Sequence, residues 1–166
     1  MASIGQQLIA PELGWKRYDN TSPSISYDYS GVFESFSSVH FGGSVTLIDS
    51  YHTNPSNTQI AHFKFKGTKF RWITYGSNDR ATDARVVIDG ISYNVNLRSS
   101  SVISQMLVCD ITGLTNTIHD VVLYSGTNGS YSNFILDAID IDDTGRLLHP
   151  DEVTNIFDLD IGKRIR

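Results

Sequence analysis

A single cysteine, Cys109, in 166 residues rules out a disulfide framework. It sits in QMLVCDI, which alternates like a strand, so the expected state is a buried free thiol. Apolar runs are short, and none reaches the length a helix needs to cross a bilayer. The first thirty residues lack the basic, apolar, small-residue order of a secretory signal. Positive charge is also scarce: 13 Lys and Arg face 18 Asp and Glu, a net charge of -5. That balance argues against a nucleic-acid partner, which calls for a basic stripe. Before the last twenty residues, no window carries apolar positions at the spacing of an amphipathic helix. Catalytic signatures are missing too, with no G-x-S-x-G, no H-E-x-x-H and no C-x-x-C. The five histidines, 40, 52, 62, 119 and 149, are scattered singly, so clustered zinc ligands are absent.

What fills the chain is period-two alternation. In QIAHFKFKG, Ala61, Phe63 and Phe65 fall on one face and His62, Lys64 and Lys66 on the other. After Gly67-Thr68, TKFRWITY puts Phe70 and Trp72 inward and Lys69, Arg71 and Tyr75 outward, so the two runs form an expected antiparallel hairpin with a basic outer face. ARVVIDGISYNVNL is a second hairpin about Asp89-Gly90, with Ile91, Tyr93, Val95 and Leu97 inward. Strands continue through QMLVCDI, IHDVVLYS and FILDAIDID, each about ten residues after the last with turn formers between. This is the pattern of an all-β antiparallel sandwich rather than a βαβ fold. Residues 31 to 44 show no period and are expected as a loop over one end of the sandwich.

Three turn-rich segments concentrate aromatics and amides. Tyr51 and His52 lie in DSYHTNPSN, Tyr75, Asn78 and Arg80 in TYGSNDR, and Tyr131 and Asn133 in GTNGSYSNF. Aromatic rings stack on the apolar face of a sugar while amides and Arg bind its hydroxyls, so these seven are candidate carbohydrate ligands. Loops at one end of a rigid sandwich are where such groups are presented. The carboxylates of LDAIDIDD offer two other readings. Asp140 and Asp142 could serve as a hydrolytic pair. Asp19 near the first strand, with Asp142 after the last, could supply oxygens to a structural calcium.

The order of motifs carries a resemblance. GWKRYDNTSPSISYDYSG, AHFKFKGTKFRW, ARVVIDGISYNV, HDVVLYS and FILDAIDID together resemble the jelly-roll, carbohydrate-binding-module-like domains of bacteriophage tail and baseplate proteins of Gram-positive hosts, over residues 12 to 142. The resemblance implies a jelly-roll β-sandwich over 1–142. It assigns Trp15, Tyr18, Asp19, Phe63, Gly67, Asp89, Gly90, His119 and Asp137 to its framework, with Arg17 and Asp19 tying the first strand to the closing one. The tail, DDTGRLLHPDEV onward, is similar to the continuation in such proteins, so 143–166 is expected as a connector toward a further domain or partner. Asp151 and Glu152 after Pro150 suit a helix start. The implied function is a non-catalytic module that binds host cell-wall glycan on a phage tail, in the virion or extracellularly, beside other tail subunits and as a potential homo-oligomer. The alternative is a structural spacer that binds nothing small.

Overall fold

The structure is a computed structural model that describes residues 1–152. Those residues form β1 (Trp15–Asp19), β2 (Ser26–Tyr27), β3 (Phe33–Phe36), β4 (Ser44–Ile48), β5 (Gln59–Gly67), β6 (Phe70–Gly76) and β7 (Ala84–Ile88). After these come β8 (Ile91–Val95), β9 (Ile103–Ile111), β10 (Thr117–Tyr124), β11 (Phe134–Leu136), β12 (Ala138–Asp142) and β13 (Arg146–Leu148). One layer runs β1-β12-β6-β9 and continues through β11-β4-β3, because β11 and β12 are one strand broken only at Asp137. There the Asp137 N–H still donates to the Ile73 carbonyl at 2.9 Å. The second layer runs β13-β5-β10-β7-β8, with β2 also on β5. Every pairing of named strands is antiparallel, and the result is the expected jelly-roll sandwich.

Alternation explains the core. Phe63 and Phe65 of β5 meet Phe70 of β6, with ring centroids 5.9 and 6.2 Å apart, and Trp72 meets Phe134 at 5.4 Å. The Trp72 indole N–H donates to the Ile135 carbonyl at 3.0 Å, so the largest core side chain leaves no polar group unpaired. Cys109 lies in this core as expected, and burial pushes its thiol up to about 12. The Asp89-Gly90 turn also forms as expected, with φ of 51° and 85° at its two central residues.

Four expectations are corrected. The runs around Gly67-Thr68 do not pair as a hairpin: β5 bonds to β10, β13 and β2, whereas β6 bonds to β12 and β9. The turn crosses between layers, which alternation alone cannot distinguish from a hairpin, since both arrangements bury the same face. Arg71 is buried rather than outward, because residues 1–14 lie as a strap over the outer face of the first layer. Gly5 N donates to Leu107 O at 2.8 Å, Leu8 N to Gln105 O at 2.8 Å and Leu107 N to Gln6 O at 2.9 Å, while Ala2 and Leu8 pack on Ile73, Leu107 and Ala138. Ile91 is exposed beyond the end of the core. Within 31–44, finally, β3 forms and pairs with β4.

Beyond Asp142 the chain stays on the sandwich. β13 pairs with β5, Leu147 and Leu148 are buried, and a helical turn opens at Pro150. The rest of the expected connector, 153–166, lies outside the described residues.

Candidate functional site

The three turn-rich loops meet. Ser50 N donates to Tyr131 O at 2.8 Å, Tyr131 N to Asp79 O at 2.9 Å, Ala81 N to Ser132 O at 3.0 Å and Asn57 N to Gly126 O at 3.2 Å. At their junction, on the outer face of β4 and β11, Val45, Leu47 and Ile135 form a small apolar floor against which Phe33, Tyr75 and Tyr131 pack. The floor exists because Val45 and Leu47 share one face of β4 and Ile135 the matching face of β11, while Phe134, Leu136 and Ile48 serve the main core and Ser44 and Thr46 meet the Asn20 amide.

Asp49 organises one side of the patch. Its buried carboxylate accepts from Tyr51 N at 3.1 Å, His52 N at 3.0 Å and the Tyr131 hydroxyl at 3.3 Å, and lies 2.8 Å from His52 Nδ1. Tyr51 is 82% exposed and stands edge-on to Tyr131 with centroids 5.9 Å apart. Burial first, and then the Asp49 charge, hold the Tyr131 phenol above its usual range. His52 is open to solvent and leans on Phe33, with centroids 4.7 Å apart.

Arg80 organises the other side. Its guanidinium lies 5.0 Å from the Tyr131 ring centre and 5.7 Å from that of Tyr75, within cation–π range of both. It donates to Tyr75 O at 3.2 Å and pairs with Asp79. Burial works against the Arg80 charge, and Asp79 offsets part of that effect. Tyr75 also meets His40 edge-on, at 4.9 Å. Tyr51, His52, Tyr75, Arg80 and Tyr131 are therefore one constellation.

The other two candidates stand apart. Asn78 is exposed on its turn. Asn133 is buried and engaged as framework: its amide nitrogen donates to Pro55 O at 3.1 Å, and its amide oxygen accepts from Gly129 N at 2.7 Å. It holds loops together rather than facing a ligand. Sequence reasoning missed Asp49 and Asn54, the latter accepting from Asn133 N at 2.9 Å and donating to Gly129 O at 3.1 Å. A signal existed, because an Asp or Asn opening a turn bonds backbone N–H groups just ahead of it, and D-S-Y-H has that form.

The carboxylates expected for chemistry are closed. Arg17 grips Asp140 with two hydrogen bonds, 2.7 and 2.9 Å, and both side chains are buried. Asp142 accepts from Thr68 N at 2.8 Å and Lys69 N at 3.2 Å, capping the crossing turn. A side chain at Gly67 would meet the Asp142 carboxylate oxygen at 2.3 Å, which is why glycine stands there. Asp19 does not approach Asp142. Register places Asp19 opposite Ala138 and Asp142 opposite Trp15, at the two ends of β1 and roughly 13 Å apart by strand rise, too far to share an ion. Among the described residues, no group of three or more His, Cys, Asp or Glu could hold a metal.

No protein-family model matches this sequence, and no curated protein matches it either. Solved structures do. A CBM35 from Cellvibrio japonicus superposes with a TM-score of 0.54 at 13% identity, covering 78% of this chain and 96% of that one. A Xyl-CBM35 solved with a glucuronic-acid-containing disaccharide gives 0.51 at 15% identity, over 78% and 95%. A salicylyl-acyltransferase from a tetracycline biosynthetic pathway gives 0.55 at 12% identity, but this chain spans 41% of its length. The shared feature is the fold, a jelly-roll β-sandwich.

Proposed function

We propose that the protein is a non-catalytic carbohydrate-binding module whose ligand stacks on the Tyr51–Tyr131–Arg80–Tyr75 patch. One observation carries this reading: three loops distant in sequence bring Tyr75 and Tyr131 onto an apolar floor beside the buried Arg80, with the exposed Tyr51 edge-on to Tyr131, and Asp49 holds the Tyr51 backbone and the Tyr131 hydroxyl in advance of any ligand. The packed Tyr75 and Tyr131 rings lose little freedom on binding, and a pyranose has one apolar face to lay on an aromatic ring. The fold shared with carbohydrate-binding modules supports the reading. The finer placement, attachment of a phage tail to host cell-wall glycan from the virion, is supported by the order of sequence motifs. So is an extracellular setting with neighbouring tail subunits.

The test is a glycan-array and cell-wall binding screen of the parent, Tyr51→Ala and Tyr131→Ala. Saturable binding weakened about tenfold or more in Tyr51→Ala, with melting temperature unchanged, is the expected result, since 1.4 kcal/mol corresponds to tenfold and this ring is almost free of packing. Binding that ignores both substitutions rejects the patch. The spacer reading is favoured by a different observation, the exposure of Ile4, Ile9 and Leu13 along the strap, a surface suited to another protein.

A further inference from the structure

Beside Tyr75, away from Tyr131, lies a cleft of about 460 Å³ between the strap and the loop preceding β4. Its walls are Gln6 and Gln7 of the strap, Val39, Tyr75, and Val102 and Ser104 at the start of β9. We infer that this cleft is a second saccharide subsite, for an uncharged sugar unit of a glycan whose neighbouring units lie on the tyrosine patch. The inference rests on the carbohydrate reading above and extends it to ligand length and charge.

Chemistry sets the ligand class. No charged side chain lines the cleft, so nothing in it would recognise a carboxylate, sulfate or phosphate. What it offers is apolar surface from Val39, Val102 and Tyr75 beside two amides with free ends. The Gln7 amide nitrogen donates to Ser104 O at 3.1 Å and Ser104 Oγ at 2.9 Å, which fixes the side chain and leaves Oε1 without a protein partner among the described residues. The Gln6 Oε1 accepts from Ser3 N at 3.0 Å, leaving its Nε2 equally without one. One donor and one acceptor without protein partners suit hydroxyls, each of which both gives and takes a hydrogen bond.

The walls are also pinned. Arg17 donates to Leu8 O at 2.7 Å on the strap side, and the Gln105 amide donates to Val39 O at 3.0 Å on the other. Gln105 adopts a left-handed φ of 50° at an irregularity in the β6–β9 ladder, a conformation that non-glycine residues keep only where the surroundings hold them to it. Tyr75 belongs to both the patch and the cleft, which makes the two surfaces continuous.

The experiment titrates the full chain with neutral gluco-, xylo- and manno-oligosaccharides, monosaccharide to hexasaccharide, and with hexuronate oligomers, following affinity by calorimetry and the Val39 and Val102 methyl signals by NMR. Longer neutral glycans should bind about tenfold more tightly than the monosaccharide and alone shift the two methyls. Gln6→Ala and Val102→Asp, both at exposed positions, should abolish that gain and leave monosaccharide affinity unchanged. If the parent binds saccharide through Tyr51 and Tyr131 but the methyls stay silent, affinity ignores length or hexuronates bind better, the cleft inference is overturned and the patch stands. If no saccharide of any length binds, the patch reading fails and the cleft falls with it.

Discussion

His119 has no free nitrogen. Nδ1 lies 2.6 Å from Asp89, and Nε2 lies 2.7 Å from Thr115 O and 3.1 Å from Gly67 O, so the ring is best satisfied as a doubly donating imidazolium. Burial opposes that charge, but the Asp89 hydrogen bond and the two carbonyls outweigh it, and His119 titrates above its ordinary range. Its contribution to stability is complete below the unfolded value of about 6.5 and lost as pH rises through the folded one. Asp137 acts in the same direction from another cause. Burial, with the Asp19 charge adding to it, pushes its carboxyl up to about 7, although Phe41 N donates to it at 3.3 Å. The buried His40, 3.9 Å away, is itself held below its usual range by burial and does not supply a compensating charge at neutral pH. An acid raised in the folded state favours folding while protonated, so Asp137 destabilises increasingly between about pH 4 and 7. Stability should therefore fall from about pH 6 to pH 8. Asp137→Asn should raise the melting temperature at about pH 8 more than at about pH 5, each pKa unit removed contributing about 1.4 kcal/mol. His119→Gln should lower it at pH 6 and flatten the slope. Melts of both variants across this range check the assignment, and an Asp137→Asn protein weakened equally at every pH would refute it.

β13 carries the folded unit past Asp142. It covers one edge of β5, with Leu147 in the main core and Leu148 buried beside it. A chain cut after Asp142 would give up both, at about 1.5–3 kcal/mol for each leucine, and would bare the β5 edge. Urea midpoints of 1–142 and 1–152 should differ accordingly, and equal midpoints would place β13 outside the cooperative unit. The sequence motif order stops at residue 142, so this strand was invisible to it: R-L-L is too short to show alternation. Elsewhere, legibility followed the physics of faces. β5, β7, β10 and β12 alternate because one face meets the core and the other water or a paired charge, and those strands could be read directly. β4 is buried along its whole length: its short alternation places Val45 and Leu47 on the tyrosine patch and Ser44 and Thr46 against Asn20, so its polar face is not the solvent face and these four residues do not reveal which way it looks. Arg71 misled for a related reason. The Trp15 ring, its centre 3.9 Å from the guanidinium, and Glu12 of the strap cover it, and its ion pairs with Glu12 at 2.7 Å and Asp110 at 3.2 Å depend on segments far away in sequence. The site was half legible. Residue types located the three loops, but which side chains face outward, as Tyr51 does, and which lock the loops, as Asn133 and Asp49 do, is decided by long-range contacts.

On the scale of the whole molecule, the first strand closes against the last. β1 pairs with β12 along its full length, and Arg17 meets Asp140 across 123 residues of chain. Such contacts form only after a long loop has closed, and domains dominated by non-local pairing fold in milliseconds to seconds. Local turns such as Asp89-Gly90 can form early. If β12 docks on β6 before β1 joins it, the β1–β12 seam is the last part of the sandwich to close. Removing one partner of a buried pair costs about 3–5 kcal/mol, since the other charge is left in the interior. If the seam is absent from the transition state, nearly all of that loss falls on the unfolding rate. Arg17→Met should thus speed unfolding by about two to three and a half powers of ten while refolding stays close to the parent rate. Stopped-flow unfolding and refolding in denaturant measure both limbs. A variant that refolds slowly and unfolds normally would mean that the ends of the chain meet first, and that the sandwich is assembled around its seam.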